Sequence, residues 1–129
     1  MNKFTSFFKN NKLMGRSTLF AANGDRIEFN YEDGVVAGKA LIRGNNGDKE
    51  TCTYVDGVKH GPAVYMWKGG HKEEFRYDRG RKNGPAVLVG ASGATRKGQR
   101  KDGQWNGKAI FTSQNGEVKE EMWDMGRKM

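Results

Sequence analysis

The chain has little of what usually closes or stiffens a small domain. It holds a single cysteine, Cys52, so no internal disulfide can form, and this usage fits a reducing compartment. It has 2 prolines, and its apolar fraction of 35% lies below the roughly 45–50% of ordinary globular chains. A compact globule of this length needs more apolar surface than that to offset chain entropy. No apolar run approaches the ~18–20 residues of a membrane-spanning helix. No acid precedes Asp25, which gives the N-terminal segment the look of a mitochondrial presequence. From Phe8 onward, however, that segment is in phase with a periodicity that fills the rest of the chain, and it is read as part of that pattern.

Glycine and basic residues are what the chain has in quantity: 19 Gly, and 23 Lys and Arg against 15 Asp and Glu, for a net charge of +8. The glycines recur every 23 residues. One column reads Gly34, Gly57, Gly80, Gly103, Gly126; a second Gly15, Gly38, Gly61, Gly84, Gly107; a third Gly24, Gly47, Gly70, Gly93, Gly116. Ala40, Ala63, Ala86 and Ala109 form a column of small residues, and Phe8, Tyr31, Tyr54, Tyr77, Arg100 and Trp123 open the units. Such register marks a repeat protein, in which each unit buries itself against its neighbours. After a lead over residues 1–7, the units are expected at 8–30, 31–53, 54–76, 77–99 and 100–122, with a partial sixth at 123–129.

Each unit alternates two extended runs with two turns. Pro62 to Trp67 is rich in strand formers, Gly69-Gly70 is a tight-turn signal, and the run to Tyr77 returns. Asn23-Gly24, Asn46-Gly47 and Asn115-Gly116 match that turn, with positive φ expected for both residue types. A longer connection follows, Asp56 to Gly61 or Asp78 to Gly84. Short connections make strands antiparallel, because parallel neighbours need long crossovers. Alternation puts Ala63, Tyr65 and Trp67 on one face with Phe75 and Tyr77, and Val64 and Met66 on the other. The expected fold is therefore all-β: an elongated antiparallel meander of five β-hairpin units forming a single twisted sheet, with an aromatic ladder over a small-residue column.

These columns resemble the MORN repeat, in which a Tyr and spaced glycines recur, and the variant with Asn-Gly-Pro as in Asn83-Gly84-Pro85. The chain departs from it in one consistent way, with Ala40, Ala63, Ala86 or Ala109 where the second Gly of the Gly-x-Gly usually stands. The resemblance implies a scaffold or binding module: members join proteins, lie near acidic phospholipids, or are described as bacterial antitoxins.

Nothing in the sequence assembles a catalytic or metal constellation, so no enzyme activity and no cofactor is expected. His60, His71 and Cys52 match no zinc spacing. Asp33-Gly34, Asp56-Gly57 and Asp102-Gly103 are read as Asx turns rather than cation ligands. Two features point to binding. Tyr65 and Trp67 are the only pair of large rings at their columns, making them a candidate aromatic contact. Between Arg76 and Lys101 the cations Arg76, Arg79, Arg81, Lys82, Arg96, Lys97, Arg100 and Lys101 face only Asp78, a local charge of +7. This cluster coincides with a break in the ladder, where Gly98 and Arg100 replace Phe75 and Tyr77. The expectation is a basic patch that takes an acidic protein surface or, as the second reading, acidic phospholipid at a membrane periphery. Local depletion of aromatics argues against single-stranded nucleic acid. The chain stops at Trp123, Met125 and Met129 without a polar cap, so self-association through its terminal edges is also expected. The place of action read from these features is the cytoplasm.

Overall fold

A computed structural model describes residues 3–9 and 12–129. It is a single open sheet. Strands β1 (Lys3–Lys9), β2 (Lys12–Phe20), β3 (Arg26–Glu32), β4 (Val35–Arg43) and β5 (Lys49–Val55) follow one another as antiparallel neighbours. The meander continues through β7 (Gly61–Met66), β8 (Lys72–Asp78), β10 (Gly84–Val89), β11 (Thr95–Lys101), β13 (Gly107–Thr112) and β14 (Val118–Asp124). Two-residue strands β6 (Val58–Lys59), β9 (Arg81–Lys82), β12 (Gln104–Trp105) and β15 (Arg127–Lys128) pair back onto β5, β8, β11 and β14.

Those short strands correct the reading of Asp56 to Gly61 and Asp78 to Gly84 as plain connections. Asp56 and Gly57 both have positive φ, 51° and 81°, which is the two-residue turn that matches strand twist. The chain therefore makes a second small hairpin before leaving through Gly61, whose φ of 98° breaks the pairing and starts β7. Arg79 and Met125 occupy the same left-handed position as Asp33, Asp56 and Asp102. What this position demands is a conformation, and an Asx hydrogen bond is not its common feature.

The turns at the other end carry Gly24, Gly47, Gly70, Gly93 and Gly116 at positive φ, as expected. Gly47 donates to the Gly44 carbonyl and Gly44 to that of Asp48, a three-residue loop closed by one left-handed glycine. The preceding Asn is not left-handed. Asn46 instead uses its Oδ1 to accept the Asp48 N–H at 3.0 Å, and Asn23 does the same for Asp25.

The core is a strip on one face of the sheet, here called the inner face. Ser17, Ala40, Ala63, Ala86 and Ala109 are buried there, directly opposite Phe29, Cys52, Phe75, Gly98 and Glu121. Phe29, Cys52 and Phe75 are buried with them, and Tyr31, Tyr54, Tyr77 and Trp123 pack against the strip. Small residues on every intervening strand give a flat floor across which side chains of successive return strands meet.

Candidate functional site

The inner face holds buried charge. Glu50, Glu73 and Glu121 are nearly inaccessible, and each is met by a partner reaching across the alanine of the strand between. The Tyr77 hydroxyl donates to Glu50 Oε1 at 2.8 Å over the Ala63 strand, and Lys59 reaches Glu50 Oε2 at 2.5 Å. One unit later, Arg100 forks onto Glu73 over the Ala86 strand, with Nη2 and Nε at 2.8 and 3.1 Å. Arg96 forks onto Glu121 over the Ala109 strand, at 2.8 and 3.4 Å, and Trp123 Nε1 adds a third bond at 3.1 Å. These are charge-assisted contacts, the strong class of hydrogen bond. The Arg96 guanidinium, followed by Trp123 and Lys128, holds the Glu121 carboxyl down at about 2 even though burial opposes the shift. Burial, followed by the bond to Glu50, pushes the Tyr77 phenol far up. Burial pushes the Cys52 thiol up to about 11, which keeps it protonated and poorly nucleophilic.

The cations expected to form one basic patch are therefore split, which corrects that expectation. Arg96 and Arg100 lie on the inner face in the ion pairs just described, because alternation along β11 sends them there with Gly98. Lys82 is on the same face, with Nζ 4.1 Å from the Phe75 ring centre and 4.0 Å from Glu73. Lys97 and Lys101 point to the opposite, outer face and are exposed. Arg79 and Arg81 lie at a turn end, exposed, with Arg81 3.5 Å from Asp102.

Trp105 was not singled out by the sequence reading, and it repairs the ladder. It takes the column of Lys59 and Lys82, is 7% exposed, and lies over Gly98. A Cβ at Gly98 would stand 2.9 Å from Ala109 Cβ and 3.2 Å from the Trp105 ring, so the indole occupies what the ring of Phe75 fills one unit earlier. The signal was available: a Trp appears in a Lys column of the same unit pair in which a Phe column turns to Gly.

Two of the expected features do meet. Trp67 and the cations Lys82, Arg96 and Arg100 line one open cavity of about 400 Å³ on the inner face, with Leu88 and Phe111 as its apolar walls. Tyr65 stacks tilted on Trp67 at 4.7 Å and gives its hydroxyl to Asp48 Oδ2 at 2.7 Å. That bond pushes the phenol up to about 12.

The two histidines have structural partners. His60 Nδ1 accepts the Arg79 N–H and His71 Nδ1 the Ala91 N–H, each tying one unit's turn to the next. Asn83 and Asn106 play the His60 part for Asp102 and Met125, and Asp48 plays the His71 part for Lys68. Among the described residues, no group of three His, Cys, Asp or Glu side chains is placed to hold a metal ion.

The outer face differs in kind. Its middle row is Leu41, Val64, Val87 and Ile110, half-buried between the strands. Three of its acids, Glu28, Glu74 and Glu120, are matched by Arg26, Lys72 and Lys108 at 3.1, 3.4 and 3.0 Å, and Glu32, Asp78 and Asp124 are exposed at the strand ends. Arg16, Lys39, Arg43, Lys49, Arg76, Lys97 and Lys101 are exposed on it and form no ion pair among the described residues. At the C-terminal end, β14 pairs with β13 along its length but with β15 only at Trp123 and Asp124. Trp123 is turned onto the inner face and Met125 sits in the last left-handed turn, so the open edge itself is Val118 to Glu121.

No curated protein matches the chain. The model of the MORN repeat matches residues 53–72, 76–95 and 97–118. Repeats of this kind are generally associated with protein- or membrane-binding scaffolds and are typically non-catalytic. Each matched segment runs from within one return strand, through its two-residue strand and the next outgoing strand, to the first residue of the following return strand, and by that match and its turn geometry the chain belongs to the MORN repeat family.

Proposed function

We propose that this protein is a non-enzymatic scaffold that binds an acidic protein surface through its outer face. The observation that carries the reading is the unequal use of charge on the two faces. The inner-face acids are buried and satisfied, while the outer face keeps Arg16, Lys39, Arg43, Lys49, Arg76, Lys97 and Lys101 without acidic partners. Strand neighbours are ~4.8 Å apart, so a row of such cations acts on one ligand surface together. The half-buried row of Leu41, Val64, Val87 and Ile110 runs between them and offers a shallow apolar strip with a charged rim, the usual plan of a protein interface. The same row does not project, which favours a protein surface over insertion among lipid chains.

The test replaces Lys39, Arg43, Lys97 and Lys101 by Glu together. Circular dichroism checks that the sheet persists. Wild type and variant are then compared, across a salt series, for binding to an immobilised polyglutamate peptide and to vesicles containing acidic phospholipid. The reading expects salt-sensitive retention of wild type on the acidic peptide, weakened roughly tenfold or more in the variant. Retention on vesicles alone transfers the face to a membrane partner. Equal retention of the two proteins on the peptide at every salt concentration overturns the proposal.

A further inference from the structure

The inner-face cavity exists because one residue has no side chain where its counterpart in the preceding unit has a large one. Gly90 occupies the column of Trp67, beside Leu88 and between the Trp67 and Phe111 rings. Nothing in the backbone requires glycine there, since Gly90 is not among the residues with positive φ. Nor does packing: a Cβ at Gly90 would find its nearest atom, the Ala94 carbonyl oxygen, at 3.6 Å, an ordinary contact. The equivalent turn glycine Gly44 is different, because a Cβ there would stand 2.7 Å from Asn46 Oδ1. The open space at Gly90 is thus neither strain relief nor a packing need.

The polar end of this space carries surplus positive charge. Glu73 takes the Arg100 fork on both of its oxygens, and Arg100 spends its remaining nitrogen on the Gly103 carbonyl at 3.2 Å. Arg96 commits Nε and Nη2 to Glu121 and leaves Nη1 without a partner among the described residues. Lys82 Nζ forms no hydrogen bond among them either; its nearest carboxylate oxygen is the one on Glu73 at 4.0 Å. Burial pulls the Lys82 ammonium below its ordinary value, Glu73 works against that shift, and Arg100 adds to it. A half-buried ammonium held over an aromatic ring, with one loose ion pair at 4.0 Å and no hydrogen bond among the described residues, is a costly arrangement that a further anion would relieve.

We infer that this cavity binds a small planar aromatic carboxylate, with its ring between Trp67 and Phe111 over Leu88 and its carboxylate on Lys82 Nζ and Arg96 Nη1. The volume of about 400 Å³ suits such a molecule. A flat ring matches the aromatic walls, whose quadrupoles favour offset or edge contact. The carboxylate accepts from the unused donors, and the surplus charge is neutralised. This site is on the opposite face from the acidic-partner surface proposed above and is independent of it.

The probe is indole-3-acetate, titrated into the full-length protein and followed by two-dimensional amide and indole NMR. Indole-3-acetamide serves as the uncharged control. The expected result is a saturable shift of the Trp67 indole N–H and of the Gly90, Ala94 and Thr95 amides. The amide analogue should bind about tenfold more weakly or worse, the effect of one lost charge-assisted hydrogen bond. Lys82→Met, which keeps the stem on Phe75, should lose a similar factor. Gly90→Trp copies the side chain that the backbone already accepts at Trp67; it should fill the cavity, preserve the melting temperature and abolish the shifts. If Gly90→Trp fails to fold, Lys82→Met decides. Absence of saturable shifts in wild type at millimolar probe, or equal affinity for acid and amide, or unchanged affinity in Lys82→Met, overturns the inference. The outer-face quadruple variant should bind the probe like wild type, so failure here and failure of the scaffold reading are separable.

Discussion

Glu50 and Glu73 stand at the same place in successive units, but the neighbours differ: Cys52 beside Glu50 stands in the column of Phe75 beside Glu73, and the main partner changes as well. The residue that reaches across the alanine strand is Tyr77 for Glu50 and Arg100 for Glu73. Around Glu50 the phenol is neutral, and Lys59 closes to 2.5 Å to balance the charge. Around Glu73 the guanidinium takes both oxygens, and the equivalent lysine, Lys82, is left at 4.0 Å. A bidentate fork engages both carboxylate oxygens and balances their charge, so the lysine is not needed to do so. The comparison shows how a repeat acquires a special unit. With Arg100 in the place of Tyr77 and Phe75 in the place of Cys52, the lysine of the second node stands over a ring at the edge of its carboxylate, while Trp105 and Gly98 keep the core strip filled around it.

The largest effect should come from removing the acid at the second node. Glu73→Ala leaves Arg100 and Lys82 without their shared carboxylate in a half-buried setting. Breaking such a pair from one side costs about 3–5 kcal/mol, and thermal unfolding should show a large drop in Tm, or no cooperative transition at all. Glu50→Ala should cost less, because only Lys59 is stranded as a charge. A drop for Glu50→Ala equal to that for Glu73→Ala would undo the comparison. A smaller change tests the first node directly. Tyr77→Phe removes one hydrogen bond to a buried carboxylate that keeps its lysine, for an expected loss of about 1–2 kcal/mol by chemical denaturation. Arg100→Tyr sharpens the same point: it should let Lys82 move onto Glu73 and cost less than Glu73→Ala.

Much of this architecture was legible in the chain because its period is short and strict. The positions of Gly61 and Gly84 at strand starts, of Gly70 and Gly93 in turns, and the sharing of a face by Ala63, Tyr65, Phe75 and Tyr77 follow from columns and alternation. The site was harder to read, for a geometric reason. Tyr77 to Glu50 and Arg100 to Glu73 are contacts between return strands with another strand between them, at a lag of 27 residues rather than the 23 of the columns. Counting charge along the chain joined Arg96 and Lys97 into one patch, although adjacent residues on a strand face opposite ways. The two-residue strands were also hidden, because β6 and β9 are too short for any alternation, and only the Asp-Gly at 56–57 announced a turn there.

The smallest of these effects concerns the third node, and it separates the ends of the sheet by pH. Glu121 is tied by Arg96, Trp123 and Lys128, and its carboxyl lies at about 2 instead of the ordinary 4.5. A group whose folded value is depressed contributes stability that is fully present above its unfolded value and is lost as pH falls toward the folded one. The contribution of Glu121 should therefore be intact above pH 4.5 and disappear between there and about pH 2. Lys128 is largely exposed and the node lies beside the open edge of β14, so solvent screening reduces the effect to on the order of 1 kcal/mol. Glu121→Gln should remove that pH dependence while lowering stability at neutral pH. The measurement is urea denaturation of both proteins at pH values from 7 down to 2. The difference between wild type and variant should shrink steadily below pH 4.5, and a difference that stays constant over this range would mean that Arg96 does not hold the carboxylate in the way the fork implies.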